Sequence, residues 1–191
     1  ILSADGRYMV FRSDATNLAA GVASGVANIY RKDLVTGATV LLSTGLSDQP
    51  ANGDSSLSFI SSPGISANGR YVVFESNASN LVNDDTNDTR DIFVRDVELG
   101  LTTRVSTKAG GVQVGSGSSN ASIGADGKFV VFQSAAPMIA GDGNGKLDIY
   151  LKSLDTGAVT RLSPKFDGTD SDGNSVTPSF SANGNYVVFS S

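Results

Sequence analysis

The sequence predicts an all-β protein made of repeated four-stranded antiparallel sheets. Three observations carry that expectation: a phrase that recurs four times, Asp-Gly or Asn-Gly pairs set between apolar runs, and strands that are apolar on both faces. The phrase runs Ser3-Ala4-Asp5-Gly6-Arg7-Tyr8-Met9-Val10-Phe11, and returns at Ser66 to Phe74, Gly124 to Phe132 and Ser181 to Phe189. Its turn glycines, Gly6, Gly69, Gly127 and Gly184, stand 63, 58 and 57 residues apart. The extra residues of the first unit fall in the Ser-rich stretch Ser55 to Ser62, read as a loop insertion.

Each later piece of the unit repeats as well. A second phrase, Asn28-Ile29-Tyr30, Asp91-Ile92-Phe93 and Asp148-Ile149-Tyr150, follows the first three copies and reads as the next strand. A Gly turn comes after it (Thr36-Gly37, Leu99-Gly100, Thr156-Gly157), then a third piece at Thr39 to Ser43, Thr103 to Ser106 and Thr160 to Ser163. A short piece precedes each new copy of the phrase: Pro63 to Ser66, Asn120 to Ile123 and Pro178 to Ser181. The units run over 1–62, 63–120, 121–177 and, incomplete, 178–191. Asp-Gly and Asn-Gly are the strongest short hairpin signals, because both residues tolerate positive φ.

Strand faces select the architecture. In Tyr71-Val72-Val73-Phe74, Tyr71 and Val73 point one way and Val72 and Phe74 the other, so both faces need cover. Four-stranded sheets repeated at a fixed period and covered on both sides are blades of a β-propeller, whereas a sandwich would show apolar/polar alternation. Three complete units and the first half of a fourth are present, so these residues are either part of a larger propeller or copies that associate to complete a ring.

Composition narrows the chemistry. The 191 residues carry Lys+Arg 14 against Asp+Glu 19, net −5, with a pI near 4.6, which argues against nucleic acid and anionic membrane as partners. There is no His and no Cys, which removes Ser-His-Asp and Cys-His nucleophile systems, thiolate or imidazole zinc sites, haem ligation and disulfides. Acid is supplied by 17 Asp and only 2 Glu, with 13 Asn, the inventory of a turn-rich chain. Apolar runs are too short to insert into a membrane as a helix. The first residue is Ile1 and no signal peptide is visible, which fits processing or a start within a longer polypeptide.

The phrases Ser-Ala-Asp/Asn-Gly-Arg-Tyr-Val-Val-Phe, Asp-Ile-Phe/Tyr and Thr-Arg-Val-Ser together resemble the TolB-type, WD40-like (PD40) β-propeller repeats, over essentially the whole chain. That resemblance implies a full propeller of about six or seven blades. It also implies a bacterial periplasmic or secreted setting. The same repeats occur in TolB, in the non-catalytic propellers of prolyl-oligopeptidase-like proteases and in large surface proteins, so function stays open.

Turn geometry locates candidate sites. In an antiparallel blade the Asp-Gly and Thr-Gly turns share one face, and both are tight. The second-to-third loops and the inter-blade loops share the other face, and they are long, so a binding surface is expected there. Two of these loops align as Asp-x-Asn-x-x-x-Asp: Asp85, Asn87, Asp91 and Asp142, Asn144, Asp148. Hard oxygen ligands at alternate positions of a polar loop suit calcium, although the bidentate Glu of an EF-hand is missing. The alternative is an Asx-turn set whose last Asp starts the next strand and bonds the loop backbone. Blade one carries Val22, Ser24 and Asn28 at these positions and would order its loop without metal. The acidic loop Asp167 to Asn174 is read chiefly as a solvated inter-blade loop. Arg7, Arg70 and Lys128, with Asn185 breaking the set, are expected to pair with nearby carboxylates, and Arg104 and Arg161 to protect outer strand edges.

Two functional expectations follow. The first is a non-catalytic extracellular or periplasmic propeller that scaffolds or binds a protein or cell-surface partner through the long-loop face. The second is part of a carbohydrate-active or prolyl-oligopeptidase-like enzyme whose catalytic groups lie partly outside these residues. No acid/base constellation stands out, and the chain has no Trp for a sugar platform, so no catalytic residue is named.

Overall fold

A computed structural model describes residues 1–58, 63–163 and 168–191. Strands β1 (Tyr8–Ser13), β2 (Asn28–Asp33) and β3 (Thr39–Leu41) form the first sheet, with Leu2 bridging Met9 on its inner edge. The second orders β4 (Ser55–Ser56), β5 (Tyr71–Ser76), β6 (Asp91–Asp96) and β7 (Leu101–Arg104). The third orders β8 (Ser118–Ile123), β9 (Phe129–Ser134), β10 (Asp148–Ser153) and β11 (Val159–Arg161), and β12 (Val176–Phe180) pairs with β13 (Val187–Ser190) in the last. Strand pairs within these sheets are antiparallel. The fold is therefore that of successive blades, three with their outer strands and one with its inner pair. Ser55 and Ser56 do not belong to a loop insertion: they pair with Ser76 and Glu75 and open the inner edge of the second sheet. Residues 59–62 of that stretch lie outside the described ones.

The hairpin turns differ from the sequence expectation in one detail. Gly6, Gly69, Gly127 and Gly184 all take positive φ, but the preceding Asp or Asn does not. Instead its side chain organises the turn: Asp5 Oδ1 accepts from the Ser3 hydroxyl at 2.6 Å and from the Arg7 N–H at 3.0 Å. Asn68 repeats this with Ser66 and Arg70, at 2.7 and 3.1 Å. An Asx side chain that accepts from the backbone two residues on relieves the residue itself of the left-handed conformation.

Both faces of the central strands are covered. Val72 and Phe74 join Val10, Ile29 and Leu42 in a core between blades one and two, while Val73 joins Val130, Phe132 and Tyr150 between blades two and three. Burying such aliphatic side chains contributes about 1.5–3 kcal/mol each, so the blade interfaces dominate stability. Cross-strand aromatic pairs repeat on the same register: Phe11 with Tyr30, Phe74 with Phe93 and Phe132 with Tyr150, ring centroids 5.5, 5.8 and 6.0 Å apart.

Polar latches join neighbouring blades. Arg12 donates to the Ser55 carbonyl at 3.1 Å, whereas Glu75 and Gln133 accept from the N–H groups of Asn120 (2.7 Å) and Thr177 (2.9 Å). Asn120 and Thr177 sit at positive φ within register shifts of the inner strands, which turn those N–H groups out of the ladder toward the preceding blade. Burial pushes the Glu75 carboxyl above its usual range, opposed by Asn120 and Arg90.

Candidate functional site: the long-loop face

The tight-turn face is stapled by ion pairs that the repeated bases make. Arg7 meets Asp33 at 2.9 Å, and Arg70 meets Asp96 at 2.7 Å and Glu98 at 2.8 Å. The Arg7 hydrogen bond holds the Asp33 carboxyl down to about 2. Lys128 has Ser153 rather than Asp at the matching strand end, so blade three lacks this staple.

The long-loop face is organised by side chains that tie each second-to-third loop to an inter-blade loop. Asn80 Nδ2 donates to the Pro50 carbonyl at 2.8 Å, Asn87 Nδ2 to Val114 at 3.0 Å and Asn144 Nδ2 to Ser171 at 3.1 Å. In blade one Ala27 N–H donates to Asp54 Oδ1 at 2.8 Å, and in blade three Leu147 N–H donates to Asn174 Oδ1 at 2.9 Å. The partners in four of these five bonds stand 27 residues apart and in the fifth 30, so the repeat itself sets the locking pattern.

All six residues of the Asp-x-Asn-x-x-x-Asp pattern lie in two matching clusters, and an arginine enters each. Opposite Phe93 on the outer strand stands Arg104, and opposite Tyr150 stands Arg161. Arg104 Nη1 lies 2.9 Å from Asp85 Oδ1 and 3.8 Å from Asp91 Oδ2, and all three side chains are almost wholly buried. Asn87 Nδ2 donates to Asp91 Oδ2 at 2.9 Å, and the Ser106 hydroxyl donates to Asp91 Oδ1. In blade three Arg161 Nη1 lies 3.7 Å from Asp142 and 3.9 Å from Asp148 and bonds Asp170, while the Tyr150 hydroxyl donates to Asp142. Asn144 and Ser163 complete Asp148 at 3.3 and 2.6 Å. Arg104 and Arg161 thus do not guard outer edges as the sequence suggested; they fold inward as counter-charges.

Burial raises the Asp85 and Asp142 carboxyls above the usual carboxylate range; Arg104 and Arg161 oppose that rise, and Asp91 and Asp148 add to it. Asp170 moves the other way, lowered by its hydrogen bond from Arg161. Among the described residues no group of three or more carboxylates is arranged to hold a metal ion. Asp167, which begins the acidic inter-blade loop, lies outside the described residues.

Blade one supplies an internal control. Its outer strand has Leu41 where the others have arginine, and its loop has Val22 and Asn28 where they have carboxylates. Asn28 accepts from Ser43 Oγ at 2.7 Å, the neutral counterpart of the Asp91–Ser106 and Asp148–Ser163 bonds. Arginine and its acidic partners are present together in blades two and three and absent together in blade one. The outer-strand arginine was the residue that sequence reasoning misplaced, and its signal was this joint presence with the loop aspartates.

Between the loop after β3 and the loop before β6 runs a groove of about 440 Å³, lined by Leu46, Gln49, Asn80, Val82 and Asp84. Asp14, Asp48, Asp84, Asp88 and Asp172 stand exposed on this side against Arg90, Lys108 and Lys146, and Leu46 and Val112 project as aliphatic knobs.

With this geometry the chain aligns along nearly its whole length with solved propellers. The TolB-type protein of Agrobacterium tumefaciens matches over 98% of this chain and 51% of its own, with TM-score 0.60 at 20% identity. The chain has the fold of β-propeller blades. TolB of Acinetobacter baumannii matches over 97% of this chain and 35% of its own, with TM-score 0.52 at 22% identity. The tricorn protease matches over 98% of this chain and 14% of its own, with TM-score 0.54 at 12% identity. The chain spans about half the length of the first of these proteins and about a third of the second. No protein-family model matches it, and no curated protein matches it in sequence.

Proposed function

We propose that this segment belongs to a non-catalytic propeller that docks a protein partner through its long-loop face, in the bacterial periplasm or outside the cell. The observation that carries the reading is the face itself. Its loops are tied down residue by residue, so little ordering entropy remains to be lost on binding. It presents the aliphatic knobs Leu46 and Val112 amid exposed aspartates, a mix suited to a partner with an apolar centre and a basic rim. The fold shared with TolB-type proteins supports the same reading.

We assign the ordering of the two acidic loops to Arg104 and Arg161 rather than to added calcium, because each guanidinium stands where a cation would sit. The test of the docking face uses photo-crosslinking side chains at Leu46, Asp84 and Val112, with controls at Val35 and Leu99 on the tight-turn face. The expected result is one partner captured from the first set only and lost when Asp48 and Asp84 are both changed to Lys. Capture from the tight-turn set alone would overturn the reading.

A second reading, favoured by the likeness to the tricorn protease, makes these blades part of an enzyme with catalytic groups outside residues 1–191. The polypeptide adjoining residues 1 and 191 separates the two. A hydrolase domain, or further blades with carboxylates clustered on the central channel, would favour the enzyme.

A further inference from the structure

Tyr8 and Tyr71 hold the same place in blades one and two, yet their rings are covered differently. Tyr8 carries two guanidinium groups, Arg7 at 4.9 Å and Arg31 at 4.2 Å from the ring centre. Tyr71 carries one, Arg70 at 5.0 Å. The second is missing because β6 has Val94 where β2 has Arg31; the two stand at the same register, opposite Thr103 and Val40 of the outer strands. In place of that guanidinium, a pocket of about 160 Å³ opens between blades two and three, lined by Tyr71, Val94, Asp96, Thr103, Gly127 and Asp155.

The groups that hold Arg31 recur around this pocket. Arg31 Nη1 donates to the Gly69 carbonyl at 2.6 Å. Gly127 repeats Gly69: both are buried, both have positive φ, and a Cβ on either would collide with the tyrosine ring beside it. Among the described residues the Gly127 carbonyl is paired with no hydrogen-bond donor. Burial pulls Arg31 below the ordinary guanidinium range, and Asp33 and Glu98 oppose that fall. Their equivalents at the pocket are Asp96 and Asp155. Glu98 is engaged by Arg70 at 2.8 Å, whereas Lys128 replaces that arginine in blade three, and among the described residues Asp155 has no ion pair.

We propose that this pocket binds an alkylguanidinium from outside the chain, its planar head stacked on Tyr71 and donating to the Gly127 carbonyl, with Asp96 and Asp155 as counter-charges. A guanidinium suits the site better than an ammonium, because it stacks on a ring and donates in its own plane at once. A buried carbonyl without a donor is costly, so a ligand that supplies one gains by relieving it. The pocket opens on the tight-turn face, away from the docking face proposed above, so either reading can fail alone.

The test titrates the protein with methylguanidinium at constant ionic strength, followed by amide NMR shifts. Saturable shifts at Tyr71, Val94, Gly127 and Asp155 in millimolar ligand are expected, with methylammonium binding about tenfold more weakly. Val94→Arg copies blade one into blade two; it should leave the circular dichroism unchanged and abolish the shifts. Asp155→Asn, at an exposed side chain, should weaken binding about two- to fivefold while Tm stays the same. A doubly capped arginine that binds tighter than methylguanidinium would assign the group to a peptide's arginine, and one that binds no tighter would assign it to a free compound. No saturation, shifts centred elsewhere, equal binding of methylammonium, undiminished binding by Asp155→Asn, or a Val94→Arg protein that unfolds or still binds would each overturn the proposal.

Discussion

Replacing Arg104 by Met tests whether a guanidinium holds the blade-two loop. The side chains of Asp85 and Asp91 are about 5% and 0% exposed, with Arg104 2.9 Å from the first and 3.8 Å from the second. Removing one partner of a buried pair leaves an uncompensated charge, which costs about 3–5 kcal/mol. At 2–4 °C per kcal/mol for a chain of this size, that is a fall of roughly 6–20 °C in Tm. Copying blade one wholesale, with Arg104→Leu, Asp85→Val and Asp91→Asn, removes charge and counter-charge together and should return stability to within about 1 kcal/mol of the parent. Burial already raises the Asp85 carboxyl above its ordinary 3.8, and losing Arg104 raises it further. A folded-state value above the unfolded one gives a contribution that is complete below 3.8 and lost as pH rises, so the deficit of Arg104→Met should shrink toward pH 4. Urea unfolding followed by circular dichroism at pH 4 and 7 measures all three proteins. A single variant costing under about 1 kcal/mol, as an exposed pair would, or a triple variant as unstable as the single one, would refute the reasoning.

Three further outcomes are expected. EDTA and millimolar Ca²⁺ should both leave the wild-type Tm unchanged; a fall with EDTA that Ca²⁺ reverses would restore calcium to the Asp85 and Asp142 loops. Asp33 titrates at about 2, below its unfolded value of 3.8, so its contribution is present above 3.8 and disappears as pH falls through about 2. A carboxyl-carbon NMR titration should show that midpoint, moving up toward 3.8 in Arg7→Gln. Finally, Gly69→Ala should destabilise more than Gly6→Ala, by thermal denaturation. Both glycines have positive φ, which costs a side chain about 1–2 kcal/mol. Only at Gly69 would the new Cβ stand 2.2 Å from the Tyr8 ring, while Gly6 faces open space. Equal losses would show that the ring yields freely.

The arrangement of blades was legible because it depends on local pattern. Val72, Val73 and Phe74 can be dry only if sheets cover both sides, and the Asp-Gly and Asn-Gly turns mark each hairpin within a few residues. The inner strand of blade two was not legible at its start, since Ser55 and Ser56 carry no apolar signal and are placed by pairing with Ser76 and Glu75. The site was half legible. The spacing of Asp85, Asn87 and Asp91 marked an ordered polar loop, but its cation could not be named. Arg104 stands 13 residues beyond Asp91 and meets it only when β6 and β7 pair with Phe93 opposite Arg104.

By itself the sequence determined the period of the repeat, the turn residues and which strands need cover on both faces, because these follow from neighbours a few residues apart. Only the tertiary structure decided which carboxylate meets which guanidinium, which loops are tied together and which groove is left open. Those contacts join residues brought together by sheet register and blade packing, and no local propensity encodes them.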